Sequence, residues 1–253
     1  MSGPHSIALV TGGSRGLGRA TVEALARRGV ASLLTYNTNK AAADAVVDSV
    51  TRSGGHAKAL ALDTGNTRAF PAFVAEVQHA LAAWGAERFN FLVNMAGTSH
   101  SGLITEVTED DFDAAYRVHV KGPFFLTQAL LPLIADGGRI VNISSGLTRF
   151  SHPGRIVYAS MKGAVEVMTR YMAKELGARQ IAVNTVAPGA IQTDFSDGAV
   201  RDNPEIARAI AAATALGRPG LPDDIGPMIA SLLSDENRWV NAQRIEVSGG
   251  QAL

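Results

Sequence analysis

Short apolar runs alternate with longer amphipathic stretches along the whole chain. The runs are rich in Val, Ile, Leu and Ala, a pattern typical of strands that are buried on both faces. Strands are predicted at residues 6–10, 31–36, 57–62, 89–93, 139–143, 181–186 and 244–247. Helical patterns fill most of the gaps between them. Because parallel strands need crossover connections, this alternation predicts an α/β fold with a doubly wound parallel sheet of about seven strands and helices on both faces.

The length and hydrophobicity of the chain favour a single domain over residues 1–253. With 253 residues, 46% of them hydrophobic, the chain can bury a substantial core, and neither a linker nor an internal repeat divides it. The main irregular stretch runs from residue 188 to about residue 203. We expect a substrate cover segment at about 188–217, over a site at the carboxyl ends of the strands; an ordinary surface connection is the alternative.

Composition excludes several function classes. The chain has no cysteine, so it has neither a disulfide framework nor a thiolate nucleophile. Lys plus Arg equals Asp plus Glu at 23 each and no basic block is present, which argues against a nucleic-acid partner. No basic and apolar leader and no membrane-length apolar run is found, so we expect a cytoplasmic protein without a membrane partner. The six histidines show no metal-ligand spacing, and no catalytic metal is predicted.

A phenol and an ammonium group are placed one helical turn apart. Tyr158 and Lys162 stand at positions i and i+4, which puts them on the same helix face, and Ser145 lies thirteen residues before the tyrosine. A nearby cation favours phenolate and lowers the pKa of a tyrosine from about 10. A phenol tuned in this way is a candidate acid and base for a carbonyl group and its alcohol.

The N-terminal region has the pattern of a strand, a glycine turn and a helix. The apolar run 6–10 is followed by Thr-Gly-Gly-Ser-Arg-Gly-Leu-Gly at residues 11–18 and by a helical pattern over residues 19–28. Gly12 permits a tight turn, Gly16 lets the backbone approach a pyrophosphate, and Gly18 allows close helix packing. The free N–H groups of the helix would face the anionic oxygens. The glycine intervals of four and two differ from the GxGxxG fingerprint, so this turn alone is a weak signal.

Taken together, these motifs resemble the short-chain dehydrogenase/reductase family over essentially the whole chain. The resemblance rests on the run at residues 11–18, on Asn94-Met95-Ala96-Gly97, on Ser145, on Tyr158 with Lys162, and on Pro188-Gly189 with Thr193. The pattern is similar to that of the 3-oxoacyl-carrier-protein reductases and the bacterial carbonyl reductases. The resemblance implies a Rossmann-type fold and a homotetramer.

The resemblance also implies roles for individual residues. Tyr158 would protonate the substrate oxygen as hydride arrives, Lys162 would lower the tyrosine pKa and hold the nicotinamide ribose, and Ser145 would hydrogen-bond the carbonyl oxygen. The family usually has asparagine at His119, where it anchors a water of the proton relay. Histidine can also hold a water, but it brings a larger ring and a titratable charge; a mainly structural role is the alternative. The family likewise has asparagine at Met95, which we expect to be a packing residue.

Cofactor choice depends on the end of the second strand. Residues 35–38 lack the acidic residue that would bind the ribose hydroxyls of NAD, and Arg15, with Asn37, Thr38 and Lys40, could bind a 2'-phosphate, so NADP is favoured over NAD. Asp63 is either a residue near the adenine or an ordinary turn residue. The positions implied in cofactor binding are Gly12, Ser14, Arg15, Gly16, Leu17, Gly18, Asn37, Thr38, Asp63, Asn94, Ala96, Gly97, Tyr158, Lys162, Pro188, Gly189, Ile191 and Thr193.

The sequence therefore predicts an NADPH-dependent oxidoreductase that reversibly reduces a ketone or aldehyde to an alcohol. A 3-oxoacyl-carrier-protein reductase is one alternative, although residues 124–136 contain no Lys or Arg to receive an acidic carrier. A small-molecule carbonyl substrate is therefore favoured, in a pocket that Phe150, His152, Ile156 and Phe195 could line. A regulatory NADP-binding protein without turnover is the alternative of another class. An epimerase or dehydratase is less favoured.

Overall fold

A seven-stranded parallel sheet forms the centre of the protein in the computed structural model, which describes residues 6–253. Its order is β3-β2-β1-β4-β5-β6-β7. The strands are β1 (Ile7–Val10), β2 (Ala31–Tyr36), β3 (Ala57–Ala61), β4 (Phe89–Asn94), β5 (Ile134–Ile143), β6 (Ala182–Pro188) and β7 (Arg244–Val247). This confirms the predicted fold class and all seven strands. The largest difference is β5, which begins at Ile134 rather than at residue 139.

Strand β1 is apolar throughout because both faces of the sheet are covered. In β1, Ile7 and Leu9 belong to the core on one face, and Ala8 and Val10 belong to the core on the other. All four residues are at most 2% exposed. Alternating side chains thus enter two separate cores, which is why β1 shows no polar positions.

Helices form a layer on each face of this sheet. Those that contribute to the Ile7 core are α3 (Phe70–Ala83), α5 (Gly122–Leu130) and α6 (Ile156–Glu175). Those that contribute to the Val10 core are α1 (Gly16–Arg27), α2 (Lys40–Arg52) and α9 (Pro222–Leu232). The remaining helices are α4 (Glu109–Tyr116), α7 (Ala199–Asp202) and α8 (Pro204–Ala212).

A π-helical turn, Arg117–Lys121, joins α4 to α5. The backbone N–H of Gly122 donates to the carbonyl of Arg117, five residues earlier. A Cβ at Gly122 would lie 2.1 Å from the carbonyl oxygen of Thr64, so the chain packs directly on the segment after β3. Single π-helical turns inside α-helices are frequent at functional sites, and this one carries His119.

The strand order reverses between β1 and β4, and this opens a crevice at their carboxyl ends. From β1 the chain proceeds outward to β2 and β3, and it then returns to β4 on the other side of β1. Ligands of open α/β sheets bind at such a switch point. The glycine turn after β1 and the segment after β4 both lie there. Within residues 6–253, no helix has the length and apolar character needed to cross a membrane.

Candidate active site

The glycine turn adopts the conformations that its sequence predicts. Gly12 and Gly16 have φ values of 65° and 51°, which other residues rarely adopt. A Cβ at Gly18 would lie 2.1 Å from the carbonyl oxygen of Gly12, so α1 packs against the turn. No side chain caps α1 at Arg15, which leaves the first N–H groups of the helix without a side-chain acceptor. A turn followed by an uncapped helix N-terminus fits a pyrophosphate.

Thr11 joins the glycine turn to the segment after β4. Its Oγ1 accepts hydrogen bonds from the backbone N–H groups of Met95 (2.9 Å) and Ala96 (3.0 Å). A Cβ at Gly12 would lie 3.0 Å from the Cα of Ala96, so the two backbones are in close contact. Met95 packs on the Val10 core, which confirms its expected packing role.

Asn94 ties β4 to β5 and to α5. Its Nδ2 donates to Asn142 Oδ1 (2.8 Å) and to Thr127 Oγ1 (3.0 Å), and the residue is 6% exposed. Asn142 in turn donates to Thr169 on α6. This buried polar chain fixes α6 to the sheet just below the cleft.

The end of β2 presents polar groups without a carboxylate. Asn37 and Thr38 are exposed, and Arg15 is exposed beside Asp194, at 3.7 Å. Lys40 is held by Asp44 at 2.7 Å, so it is less available to a ligand than its charge suggested. Asp63 accepts a hydrogen bond from the N–H of Gly65 (2.8 Å), which gives it a turn role.

The segment after β6 passes over the glycine turn. Thr193 lies against Gly16, where an added Cβ would be 3.4 Å from Thr193 Cγ2. Gly189 fits tightly against Ser248, and Ile191 packs on the Val10 core. The structure thus places this segment next to the candidate cofactor positions of α1.

Tyr158, Ser145 and Lys162 converge at the carboxyl end of β5. Lys162 is 5% exposed, its Nζ donates to the carbonyl of Ile143 (2.9 Å), and it lies 5.4 Å from the centre of the Tyr158 ring. Ser145 Oγ accepts from the N–H of Leu147 (3.2 Å). That bond uses a lone pair and not the hydroxyl hydrogen of Ser145, which can be donated to Tyr158 or, when a substrate is bound, to the substrate oxygen.

The sequence predicts a lowered pKa for Tyr158, and this prediction is wrong. Burial of the hydroxyl raises the pKa of Tyr158 to about 12, while the positive charge of Arg155 and a hydrogen bond from Ser145 act in the lowering direction. Burial also lowers the pKa of Lys162 to about 8. Desolvation therefore outweighs the neighbouring charges, and the phenol is protonated throughout the neutral range.

His119 lies edge-on against Tyr158, with ring centres 5.3 Å apart. Its Nε2 is 2.9 Å from the carbonyl oxygen of Thr98, so we assign the ring hydrogen to Nε2. The ring is 2% exposed, and an added Cβ at Gly97 would lie 2.8 Å from its Cε1. Burial, with the charge of Lys162, lowers the pKa of His119 to about 3. The titratable charge expected from the sequence is therefore absent at neutral pH.

Because His119 is buried in its neutral form, the free energy of unfolding should depend on pH. The variant His119→Asn should lack this contribution. An unfolded chain protonates the histidine below pH 6.5 and the folded chain only near pH 3, so the free energy of unfolding falls as the pH decreases between these values. At pH 5 the histidine should lower it by about 2 kcal/mol. Denaturant unfolding at pH 5 and pH 7 should therefore show a smaller loss for the variant. Equal losses in both proteins would contradict a depressed pKa.

A small cavity lies beside Lys162, with about 10 Å³ of room for the centre of a water molecule. Asn94, His119 and Lys162 are among its lining residues. Asn94 Oδ1 and His119 Nδ1 are both buried and have no hydrogen-bond partner within residues 6–253. A cavity of this size and polarity is suited to one water molecule.

Sequence reasoning missed Glu166, which fixes the backbone around Ser145. Its Oε1 accepts from Ser144 Oγ (2.6 Å), Thr148 Oγ1 (2.7 Å) and Arg244 Nε (2.8 Å). Arg244 also donates to the carbonyl of Ser145, and the Thr148 hydroxyl lies 2.9 Å from that carbonyl oxygen. The hydroxyl of Ser144 is thereby held toward α6. The i+4 spacing from Lys162 to Glu166 was the available signal.

Arg155 was also missed. It is the residue before α6 and stands three positions before Tyr158, on the same helix face. Its Nη1 donates to the carbonyl of His100 (3.2 Å), and its charge acts on the tyrosine as described above. The i, i+3 spacing could have identified it, just as the i, i+4 spacing identified Lys162.

Only part of the predicted apolar pocket assembles at the tyrosine. Phe195 lies with its ring centre 5.9 Å from that of Tyr158, so the 188–217 segment does reach the site. Phe150 instead lies under the guanidinium of Arg149 (5.5 Å). His152 is exposed and bonds to its neighbouring carbonyl, and Ile156 is 47% exposed. The last two therefore lie at the rim at most.

Comparisons with known proteins agree with this geometry. A family model described as "Enoyl-(Acyl carrier protein) reductase" matches residues 12–252. The hydroxynaphthalene reductase-like protein Arp2 of Metarhizium brunneum is 35% identical over 255 residues, which is 96% of this chain and 94% of that protein.

Two solved structures are similar over nearly the whole chain. The promiscuous reductase LugOII, which catalyses keto-reduction at C1 during lugdunomycin biosynthesis, has a TM-score of 0.94 at 38% identity, with all of both chains covered. The angucycline C-6 ketoreductase LanV, with bound NADP, has a TM-score of 0.93 at 34% identity over 99% of this chain and 97% of the other.

Proposed function

The chain belongs to the short-chain dehydrogenase/reductase family, and we propose that it is an NADPH-dependent ketoreductase that reduces a ketone of a fused aromatic compound to an alcohol. That it is an oxidoreductase of this family follows from the family membership. The convergence of Ser145, Tyr158 and Lys162 at one end of the cleft is the observation that carries the ketoreductase assignment.

The chain's own residues would act on the ketone oxygen. Tyr158 donates its proton to that oxygen, and Ser145 donates a hydrogen bond to it and stabilises the developing negative charge. Lys162, fixed by the carbonyl of Ile143, keeps two further N–H donors for ribose hydroxyls or a water. NADPH, when bound, supplies the hydride.

The tyrosine environment favours reduction over oxidation. A phenol with a pKa of about 12 is present as the acid at neutral pH, ready to donate. The reverse reaction needs the phenolate, which is scarce at that pH. Alcohol oxidation should therefore be slow near neutrality.

We propose that the Lys162 ammonium passes a proton back to the Tyr158 phenolate and that one water in the cavity beside Lys162 then donates a proton to the lysine amine. Asn94 Oδ1 and His119 Nδ1 are acceptors, given the assigned tautomer, and Lys162 Nζ is a donor. A water can donate to both acceptors and accept from the lysine, which satisfies all three groups. His119 would then anchor the water as a neutral acceptor, and asparagine should replace it with little loss of turnover.

Two observations support an aromatic ketone as the substrate. The hydroxynaphthalene reductase-like relative and the angucycline ketoreductase are both named for fused aromatic compounds. Phe195, beside the Tyr158 ring, offers a flat apolar surface on which such a compound can stack. Acyl-carrier substrates remain the alternative, and the absence of Lys and Arg from residues 124–136 does not support them.

NADP is proposed because the structural relative LanV holds NADP and because no carboxylate ends β2 in this chain. Arg15 would bind the 2'-phosphate. Arg15→Ala should raise the KM for NADPH about tenfold, since an exposed charge-assisted hydrogen bond is lost, and should leave the KM for NADH nearly unchanged. Steady-state kinetics with both cofactors measure this. An equal increase in the KM for NADPH and the KM for NADH would show that Arg15 does not bind the 2'-phosphate.

The proposed function is tested by following NADPH oxidation by purified protein with several classes of substrate. The panel should contain fused aromatic ketones such as 1-tetralone, aliphatic ketones, aldehydes, and 3-oxoacyl and enoyl thioesters. Turnover is expected to be fastest with aromatic ketones and faster with NADPH than with NADH. Tight NADPH binding without turnover on any compound would support the regulatory alternative instead.

The homotetramer and the cytoplasmic location remain predictions. Helices α4 and α6 expose apolar side chains at Phe112, Tyr116, Val167 and Tyr171, with Tyr171 68% exposed. We propose that this face packs on a second copy across a two-fold axis, as one contact of the tetramer.

A further inference from the structure

Three residues form a stripe on the N-terminal half of α6. Arg155, Tyr158 and Lys162 follow at spacings of three and four, so the phenol stands between a cation one turn before it and a cation one turn after it. Lys162 is committed to the carbonyl of Ile143 and lies below the tyrosine ring. Arg155 lies at the opposite end of the stripe, where α6 begins.

Arg155 bridges two loops of the cleft and has no counter-ion. Its Nη1 donates to the carbonyl of His100, in the loop after β4, and the adjacent Gly154 accepts from the N–H of Gly102. In the part of the chain that the structure describes, no carboxylate lies within 4.0 Å of its guanidinium. Of five guanidinium N–H donors, one is used by a protein acceptor.

The position is unfavourable for stability. A residue at the N-cap of a helix is normally Ser, Thr, Asp or Asn, and the positive end of the helix dipole repels a cation there. Arg155 makes no side-chain cap bond to α6. The partly buried guanidinium and the helix N-terminus add their positive potentials at the mouth of the cleft, and neither is neutralised by the protein.

We propose that Arg155 binds an anionic or acidic oxygen of the ketone substrate, a phenolate, enolate or carboxylate. This inference rests on the proposed ketoreductase function and names the substrate class more closely: a ketone with a second, acidic oxygen. Since the two side chains start one helical turn apart, we expect that oxygen on the ketone ring or on the ring fused to it, where one compound can reach both groups. The remaining guanidinium N–H groups can donate to it, to a carboxylate through two parallel hydrogen bonds, while Tyr158 holds the ketone oxygen.

The alternative is that Arg155 serves only to hold the His100 loop. In that role Arg155 makes one hydrogen bond to the carbonyl of His100. Every substrate would depend equally on the loop position that this bond maintains. A ligand role affects only substrates with an acidic oxygen. The two roles are therefore separated by a matched pair of substrates that differ in that oxygen alone.

The test compares ring-hydroxylated isomers of 1-tetralone with their methyl ethers in wild type, Arg155→Met and Arg155→Lys. Arg170→Met is the matched control, since it removes an exposed arginine from the same helix. Wild type should favour at least one hydroxylated isomer over its ether by about 10- to 100-fold in kcat/KM, the range for a hydrogen bond to a charged group. Arg155→Met should abolish that preference, so that the hydroxylated isomer and its ether are reduced with the same kcat/KM. Arg155→Lys should retain part of the preference, and Arg170→Met all of it.

The proposal is overturned if the wild type prefers no hydroxylated isomer over its ether. It is also overturned if Arg155→Met lowers kcat/KM equally for a hydroxylated isomer and its ether. A wild type that reduces no ketone overturns the proposed function instead. In that case, calorimetry still decides on Arg155 by titrating the same tetralones into the NADPH complexes of Tyr158→Phe and of Tyr158→Phe with Arg155→Met. A 10-fold or greater loss of affinity confined to hydroxylated compounds supports the anion site, and equal affinities overturn it.

Discussion

Replacing Tyr158 with phenylalanine is expected to lower kcat for ketone reduction by about 10²- to 10⁴-fold, the contribution typical of a general acid. The variant keeps the ring that packs against His119 and Phe195 and loses only the hydroxyl. Because the phenol is the group positioned to protonate the substrate oxygen, the loss should appear in kcat. The affinity for NADPH, measured by fluorescence titration, should change little.

Tyr171→Phe is the matched control for this variant. Tyr171 lies on the same helix, thirteen residues after Tyr158 and on the face proposed to contact a second copy, so removal of its hydroxyl should leave kcat unchanged. A Tyr158→Phe protein with more than half of the wild-type kcat would show that another group donates the proton. A loss of NADPH affinity parallel to the loss of kcat would show that the tyrosine acts mainly in cofactor binding.

Gly18→Ala is expected to have the second largest effect, on folding and on cofactor binding together. The new Cβ would meet the backbone carbonyl of Gly12 at 2.1 Å, and a backbone atom can move away only if the glycine turn moves. Overpacking of this kind costs about 3 kcal/mol, which should appear as a lower midpoint in urea unfolding. Since the turn would hold the pyrophosphate, the affinity for NADPH should fall about 100-fold.

Gly177→Ala serves as the control, because an added Cβ there meets nothing within 4 Å in the described chain and the glycine has no positive φ. Its urea midpoint and its affinity for NADPH should stay close to the wild-type values. If Gly18→Ala behaved in the same way, the close packing of α1 on the glycine turn would not be what the site depends on.

The sheet could be predicted from the sequence because burial on both faces makes most strands short and largely apolar. Strand β2 is an example, and it has the predicted bounds. The first half of β5 gave no such signal, since Asp136, Gly137 and Gly138 are poor strand formers. It pairs because Ile134 lies beside Phe89 of β4, across an irregularity in the register. That contact is tertiary, so local pattern could not reveal it.

The site was predictable where spacing along one element fixes the geometry, and less so where separate segments meet. The i, i+4 spacing of Tyr158 and Lys162 holds in α6, and Thr193 stays a predicted cofactor residue that the fold brings to Gly16. The π-helical turn at His119 depends on the packing of Gly122 against Thr64, which lies far away in the sequence.

Electrostatics were the least predictable part. Spacing alone suggested that a cation would lower the tyrosine pKa, but the degree of burial, which raises it to about 12, is a property of the whole cleft. For the same reason the histidine is neutral: burial lowers its pKa to about 3. Both shifts lead to the same result, in which Tyr158 and His119 keep their neutral forms, a protonated phenol and an uncharged imidazole, across the neutral range.

The most direct test of the account is the fate of deuterium from NADPH labelled at the transferable position of the nicotinamide. With a fused aromatic ketone as substrate, mass spectrometry of the product should find the label on the carbinol carbon for wild type and almost no labelled alcohol for Tyr158→Phe. Labelled NADPH that binds but yields no labelled alcohol with any ketone, or equal label transfer by both proteins, would contradict the proposal that this chain is a ketoreductase with Tyr158 as its acid.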